Sequence, residues 1–216
     1  TLYVTVKSRT PGFNDILIDR EFSVVNTPSP GYRSPFMGHQ IHPNTTHTRF
    51  NQVERIVDMS GIGFLRTDFG WNGLEPVLGG GYKFPNDMPD YPDFYPNVAK
   101  MGIENIAIVT PWHEAYGGWS HREKIAETPE ALRDWERFCA DLAAHYKGVI
   151  NNFEFGNEIN FARDEVYSAE EYADVCIAGY RGIKKGNPEA IVLTQGLSRT
   201  DTDFVKAMIE HADGEK

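Results

Sequence analysis

The densest chemistry in the chain is one octapeptide, Phe153-Glu154-Phe155-Gly156-Asn157-Glu158-Ile159-Asn160. It sets an Asn-Glu pair just past a short apolar strand. A carboxyl group beside apolar strand ends keeps its proton more readily than one in water, as a general acid at neutral pH requires. The neighbouring amide would hold a substrate hydroxyl. By itself the dipeptide is common in solvated loops. It gains weight because polar and aromatic residues gather at the carboxyl ends of the other predicted strands too. These are His39 and His42, then Arg66, Asp68 and Trp71, then Trp112, His113 and Glu114, and finally Gln195. In parallel α/β folds, reactive residues sit at the carboxyl ends of the strands. A polar pocket with aromatic walls suits a sugar, whose C–H faces stack on flat rings while its hydroxyls need many partners.

Other readings of these residues compete. His39, His42 and His47 suggest a metal, but the spacing is not the His-x-His of metal-dependent barrel hydrolases, and zinc would also want ordered outer partners. Loop or sugar-contacting histidines fit better. Glu114 reads as a loop charge and Glu75, before Pro76, as a turn residue. Cys139 and Cys176 fall on apolar helix faces and read as buried free thiols. Trp135 reads as core. Trp71 and Trp112, at strand ends, read as ligand contacts.

The elements that must position these groups follow from periodicity. Leu2, Val4 and Val6 alternate with Tyr3, Thr5 and Lys7, a strand pattern. Pro11-Gly12 turns the chain, and residues 16–18 and 22–25 read as further short strands. Residues 1–30 therefore form a β-rich segment, the tail of a β module or a cap, and Asn26 to Gly31 read as a linker. From residue 31 onward strands and helices alternate. Strands are expected at 36–41, 62–69, 106–109, 149–155 and 191–194. Phe50, Val53, Ile56 and Val57 share a helix face that stops at Ser60-Gly61. A short helix is expected around 98–100. Thr128 caps a helix with Pro129 in its first turn. Ser168-Ala169-Glu170-Glu171 is a capping box for a helix lined by Tyr172, Val175, Cys176, Gly179, Tyr180 and Ile183. Phe204, Val205, Met208 and Ile209 open a last helix.

Repeating βα units of about 40 residues predict an α/β fold, a parallel sheet covered by helices. No Gly-x-Gly-x-x-Gly follows a strand, so a dinucleotide site is unsupported, and the Gly79-Gly80-Gly81 run opens no helix. Five units fit a (β/α)8 barrel truncated after the fifth. The balance of 21 basic against 31 acidic residues, net −10, argues against nucleic acid as a partner. No run of about 18 apolar residues exists to span a membrane. The chain opens on Thr1 with no signal peptide, so it reads as cut from something longer.

Several segments resemble glycoside hydrolase clan A, the retaining (β/α)8 barrels, with the nearest look to family 39 and then to families 5 and 42. The acid/base motif of that clan is a Glu, two residues, then Asn-Glu; Glu154, Asn157 and Glu158 hold those positions. Gly63 to Trp71, followed by Leu74-Glu75-Pro76, looks like the clan's second strand and loop. Tyr172 to Pro188, with Ile183-Lys184-Lys185 and Asn187-Pro188 before the next strand, looks like the same clan. The match covers about residues 36–210.

The resemblance implies a retaining glycosidase acting on a poly- or oligosaccharide by double displacement. Glu158 would be the general acid, then the base. Asn157 would bond the sugar 2-hydroxyl, and Arg66 would line the floor of the −1 subsite and keep the nucleophile ionised. His113 would line that subsite, with Trp71, Trp112 and Trp119 as stacking platforms and His39 as a further contact. No metal or other cofactor is implied. The clan's nucleophile is a Glu at the end of the seventh strand, which this chain does not reach. The 216 residues alone are therefore expected to be inactive, with the remainder of the barrel as their partner. A carbohydrate-binding barrel without catalysis and a metal-dependent hydrolase are the alternatives. A β-rich segment ahead of a barrel points to a secreted or extracytoplasmic polysaccharide degrader, with a cytoplasmic location as the alternative.

Overall fold

Five parallel strands lie side by side in chain order, each joined to the next through helical segments, which is the arrangement that repeated βα units demand. The computed structural model describes residues 4–6, 16–18, 29, 31–42, 50–84, 93–118, 121, 124–161 and 167–214. The sheet runs β3 (Ser34–Gln40), β4 (Ile62–Gly70), β5 (Glu104–Thr110), β6 (Asn152–Phe155) and β7 (Ile191–Thr194). It is open: among the described residues β3 and β7 each have a strand on one side only. A separate antiparallel pair joins β1 (Val4–Val6) to β2 (Ile16–Ile18). The strand expected at 22–25, the linker at 26–28, His47 and Trp119 lie outside the described residues.

The helices are α1 (Phe50–Ser60), α2 (Trp71–Leu74), α3 (Phe94–Lys100), α4 (Lys124–Glu127), α5 (Pro129–His145), α6 (Ala169–Gly186) and α7 (Thr202–Gly214). Their starts are set locally. Thr128 accepts from Ala131 N, and Ser168 and Glu171 form a reciprocal capping box. Helices α5 and α6 pack closely because the stripe Gly179, Gly182 and Gly186 has no side chains. A Cβ at 182 would stand 2.2 Å from the Glu136 carbonyl oxygen. None of the helices is long and apolar enough to cross a membrane, among the described residues.

Strand alternation gives the sheet two unlike faces. Leu65, Phe69, Ala107, Val109, Phe153 and Phe155 point into the core with the helices, where Phe69 meets Tyr95 and Tyr146, and Phe155 meets Trp135. Arg66, Asp68, Ile108 and Glu154 point to the other face. Several expectations shift, among them β5, which runs Glu104–Thr110 rather than 106–109, and α3, which starts at Phe94 rather than near 98. β6 starts at Asn152, not 149, because the Tyr146 carbonyl accepts from both Val149 N and Ile150 N and holds them in a turn. β3 starts earlier, at Ser34. Tyr180, expected on the buried stripe of α6, is exposed, because the sheet beneath it ends at β7.

Candidate active site

One face of the sheet carries a single ion-pair network that runs from Arg66, midway along β4, to the carboxyl half of β6. Arg66 donates from Nε to Glu154 Oε2 at 2.6 Å and from Nη2 to Glu154 Oε1 at 2.8 Å, a forked pair across two strands that are not neighbours. The same guanidinium donates from Nη1 to Gln40 Oε1 at 2.7 Å and from Nη2 to Asn157 Oδ1 at 2.9 Å. Glu154 Oε1 also accepts from Gly196 N at 2.8 Å. One side chain thus ties β3, β4 and β6 together, and its acid partner reaches the loop after β7. The hydrogen bonds to Glu154 raise the Arg66 pKa; partial burial opposes the rise, and the charges of Glu154, Asp68 and Glu158 add to it. Arg66 is therefore a fixed cation facing three carboxylates. Beside it, Asp68 contacts His42 Nδ1.

The turn after β6 sets out the two motif residues. Gly156, at φ +79°, donates its N–H to Val109 O, and its missing Cβ leaves room for Ile159. Asn157 is exposed, with its Oδ1 taken by Arg66, so its amide N–H groups face away from that bond as donors. Glu158 sits at φ +49°, the left-handed region that costs a non-glycine residue about 1 kcal/mol or more. Its N–H donates to Gly196 O at 3.0 Å, and its carbonyl accepts from Phe161 N at 2.9 Å. The Glu158 side chain is exposed, not wrapped in apolar strand ends as the sequence suggests.

The other predicted site residues divide. Trp71 is a correction: it is fully buried between His113, Trp135 and Phe138, and its Nε1 donates to Glu75 Oε2, so neither ring face is open to a sugar. His113 is a second correction. It is buried, its Nε2–H donates to the Glu75 carbonyl at 2.6 Å, and its Nδ1 accepts from Ala115 N, so both ring nitrogens serve the backbone. His39 is a third. The β3–β4 register pairs His39 with Leu65 and Gln40 with Arg66, which puts His39 on the opposite sheet face from the network. An irregularity between Ser34 and Gly38 sets that register. Trp112 is half-buried, just past β5.

Glu75 is the buried turn residue expected of it. Its carboxylate takes both Arg137 Nη2 contacts (2.8 and 3.0 Å), Trp71 Nε1 and Gly79 N, fixing the loop that follows α2. Among the described residues no three His, Cys, Asp or Glu side chains converge to hold a metal. Two participants had no signal in side-chain reasoning. Gln40 was masked by the register of β3, and Gly196 acts through its backbone.

No family model matches the chain, and no curated protein matches it in sequence. Solved structures do match in shape. A family 39 glycoside hydrolase from the gut symbiont Bacteroides cellulosilyticus superposes with a TM-score of 0.65 at 19% identity, over 85% of this chain and 36% of that one. A family 5 glycoside hydrolase from Streptomyces cattleya, solved with GlcNAc, gives 0.55 at 15%, over 76% and 44%. Endo-glycoceramidase II from Rhodococcus sp. gives 0.55 at 12%, over 80% and 48%. The chain thus spans less than half the length of each of these proteins. Over that part it has the fold of a glycoside-hydrolase (β/α) barrel, present as five parallel units in an open sheet.

Proposed function

We propose that this chain is the acid/base-bearing part of a retaining glycosidase acting on a poly- or oligosaccharide. The observation that carries the reading is the Arg66 guanidinium, which holds Glu154 and Asn157 at once, one residue before the exposed carboxyl group of Glu158. In the first step Glu158 gives its proton to the glycosidic oxygen while a second carboxylate attacks the anomeric carbon and the C–O bond to the leaving group breaks. In the second step Glu158 takes a proton from water, whose oxygen attacks the same carbon and releases the second carboxylate. Retaining enzymes place the two carboxyl groups roughly 5 Å apart. Asn157, donating through its amide, would bind a hydroxyl of the sugar at the reacting centre.

The second carboxylate comes, in this reading, from a segment that completes the barrel. Glu154 does not suit the role, because both its oxygens are engaged by Arg66 and Gly196. Support for a completing segment lies on the two edge strands. Phe36 and Met37 on β3 are 90% and 60% exposed, and Ile191 and Leu193 on β7 are 57% and 38% exposed. Apolar residues on edges that pair with no further strand among the described residues are surface that a further strand and helix would cover.

The test is turnover of aryl glycosides by the complete protein. Glu158→Gln is expected to lower kcat by about 10² to 10⁴ while sugar binding survives. Equal turnover in wild type and variant would refute the assignment, and clear turnover by the isolated 216-residue chain would refute the need for a second segment.

A further inference from the structure

We infer that Gln195 is a positioning residue for Glu158, holding the carboxyl-bearing turn in its left-handed shape; this rests on the acid/base reading above. Gln195 follows β7 and is 5% exposed. Its backbone is pinned from the helix layer: Gln195 N donates to the Tyr172 hydroxyl at 3.1 Å, and that hydroxyl donates to Phe155 O at 2.5 Å. Its side-chain Oε1 accepts from Ile159 N, the peptide group that follows Glu158 directly. The next residue takes the other side, with Gly196 O accepting from Glu158 N at 3.0 Å. Both peptide N–H groups that flank the Glu158 α-carbon are therefore claimed by residues 195 and 196.

The left-handed conformation is costly for a glutamate and needs surroundings that enforce it. Those two bonds are the enforcing ones, and Asn160 extends the seam. Its Nδ2 donates to Ser198 O at 3.1 Å and to Asp201 Oδ2 at 3.0 Å, and its Oδ1 accepts from Ser198 N at 2.9 Å. Gln195 Nε2, in contrast, is buried with no hydrogen-bond partner among the described residues. The amide is thus kept in place by one oxygen while leaving a buried donor unpaired, an arrangement that packing alone would not favour. A methionine of the same length would pack there and lose only the bond to Ile159.

A misplaced general acid has a specific kinetic signature. Proton donation matters for a poor leaving group and hardly at all for a good one. Loss of fold or of sugar binding would slow both alike. The experiment compares 2,4-dinitrophenyl and phenyl glycosides of one sugar with the complete protein, its Gln195→Met and Asn160→Ala variants, and Glu158→Gln as reference. Each of the two positioning variants is expected to lose about 10- to 100-fold in kcat/KM on the phenyl glycoside and less than about threefold on the dinitrophenyl one. Equal losses on both substrates, or no loss on either, would overturn the positioning role. A Glu158→Gln enzyme that keeps its phenyl-glycoside rate would instead overturn the acid/base reading, and the inference with it.

Discussion

Glu154→Gln tests whether the network on the sheet face holds the fold together. The substitution keeps the shape and removes the charge. In its place an amide must meet Arg66 Nε at 2.6 Å, Arg66 Nη2 at 2.8 Å and Gly196 N at 2.8 Å, all of them donors. The amide oxygen can serve one side, but its NH₂ group then faces another N–H. At least one charge-assisted bond is lost, about 1.5–3 kcal/mol. Breaking a fully buried pair costs about 3–5 kcal/mol. Here the side chains are 20% and 9% exposed, and Gln40 and Asn157 still accept from the guanidinium, so the loss falls short of the fully buried case. The expected loss is about 2–3 kcal/mol, or about 5–10 °C in Tm for a chain of this size. Thermal and denaturant unfolding of the single variants, and of Arg66→Met with Glu154→Leu together, give the cycle. The double variant should recover most of the loss, because a paired apolar replacement removes the stranded charge. The penalty should persist in 1 M salt, which screens a part-buried pair poorly. A Glu154→Gln loss below about 0.5 kcal/mol, or additivity in the cycle, would refute the reasoning.

Three further predictions concern the helix layer. Gly182→Ala should cost about 1–3 kcal/mol in thermal unfolding even though alanine is the better helix former, because its Cβ would sit 2.2 Å from Glu136 O; an unchanged Tm would mean that α5 and α6 do not pack this closely. Burial pushes the Cys139 thiol well above its ordinary value, with the Glu136 charge adding to the rise, and pushes Cys176 up to about 12 from 9.0. Iodoacetamide at pH 8 should therefore label neither thiol promptly in the native protein and both in denaturant. Because the folded state holds these protons more tightly than the unfolded one, their contribution to stability is intact below about pH 9 and fades as pH rises from there to about 12. Unfolding free energy measured from pH 7 to 11 checks the sign, and stability rising across that interval would refute it.

What could be read along the chain was local chemistry. The start of α5 is written in Thr128 and Pro129, and that of α6 in Ser168 and Glu171, because a cap bonds residues three apart. The strand at 191–194 is an apolar run, the end of β6 is two phenylalanines flanking Glu154 ahead of Gly156, and the structure places both there. The start of β6 could not be read, because Val149 and Ile150 are as β-prone as the strand they precede and only the Tyr146 carbonyl decides their fate. Trp71 misled for a similar reason. A tryptophan past a strand end looks poised for a ligand, but a one-turn helix swings this one under Trp135 and Phe138, residues more than sixty positions away.

The site divides along the same physical line. Glu154, Asn157 and Glu158 are legible because the motif lies within one turn of chain. Which face of β3 meets Arg66 is not, since a one-residue slip exchanges His39 for Gln40 and the slip is set by pairing with β4. His113 is identified by its type and strand-end position, yet its role is decided by the Glu75 carbonyl on another loop. The motif residues lie close together in the chain, whereas the contacts that orient them come from residues far away in it. Arg66 joins the two sets, because the charge that orients Asn157 is the same charge that binds β4 to β6. Substitutions at this one position must therefore disturb stability and the orientation of Asn157 together, whereas Gln195 touches the backbone beside Glu158 and nothing charged.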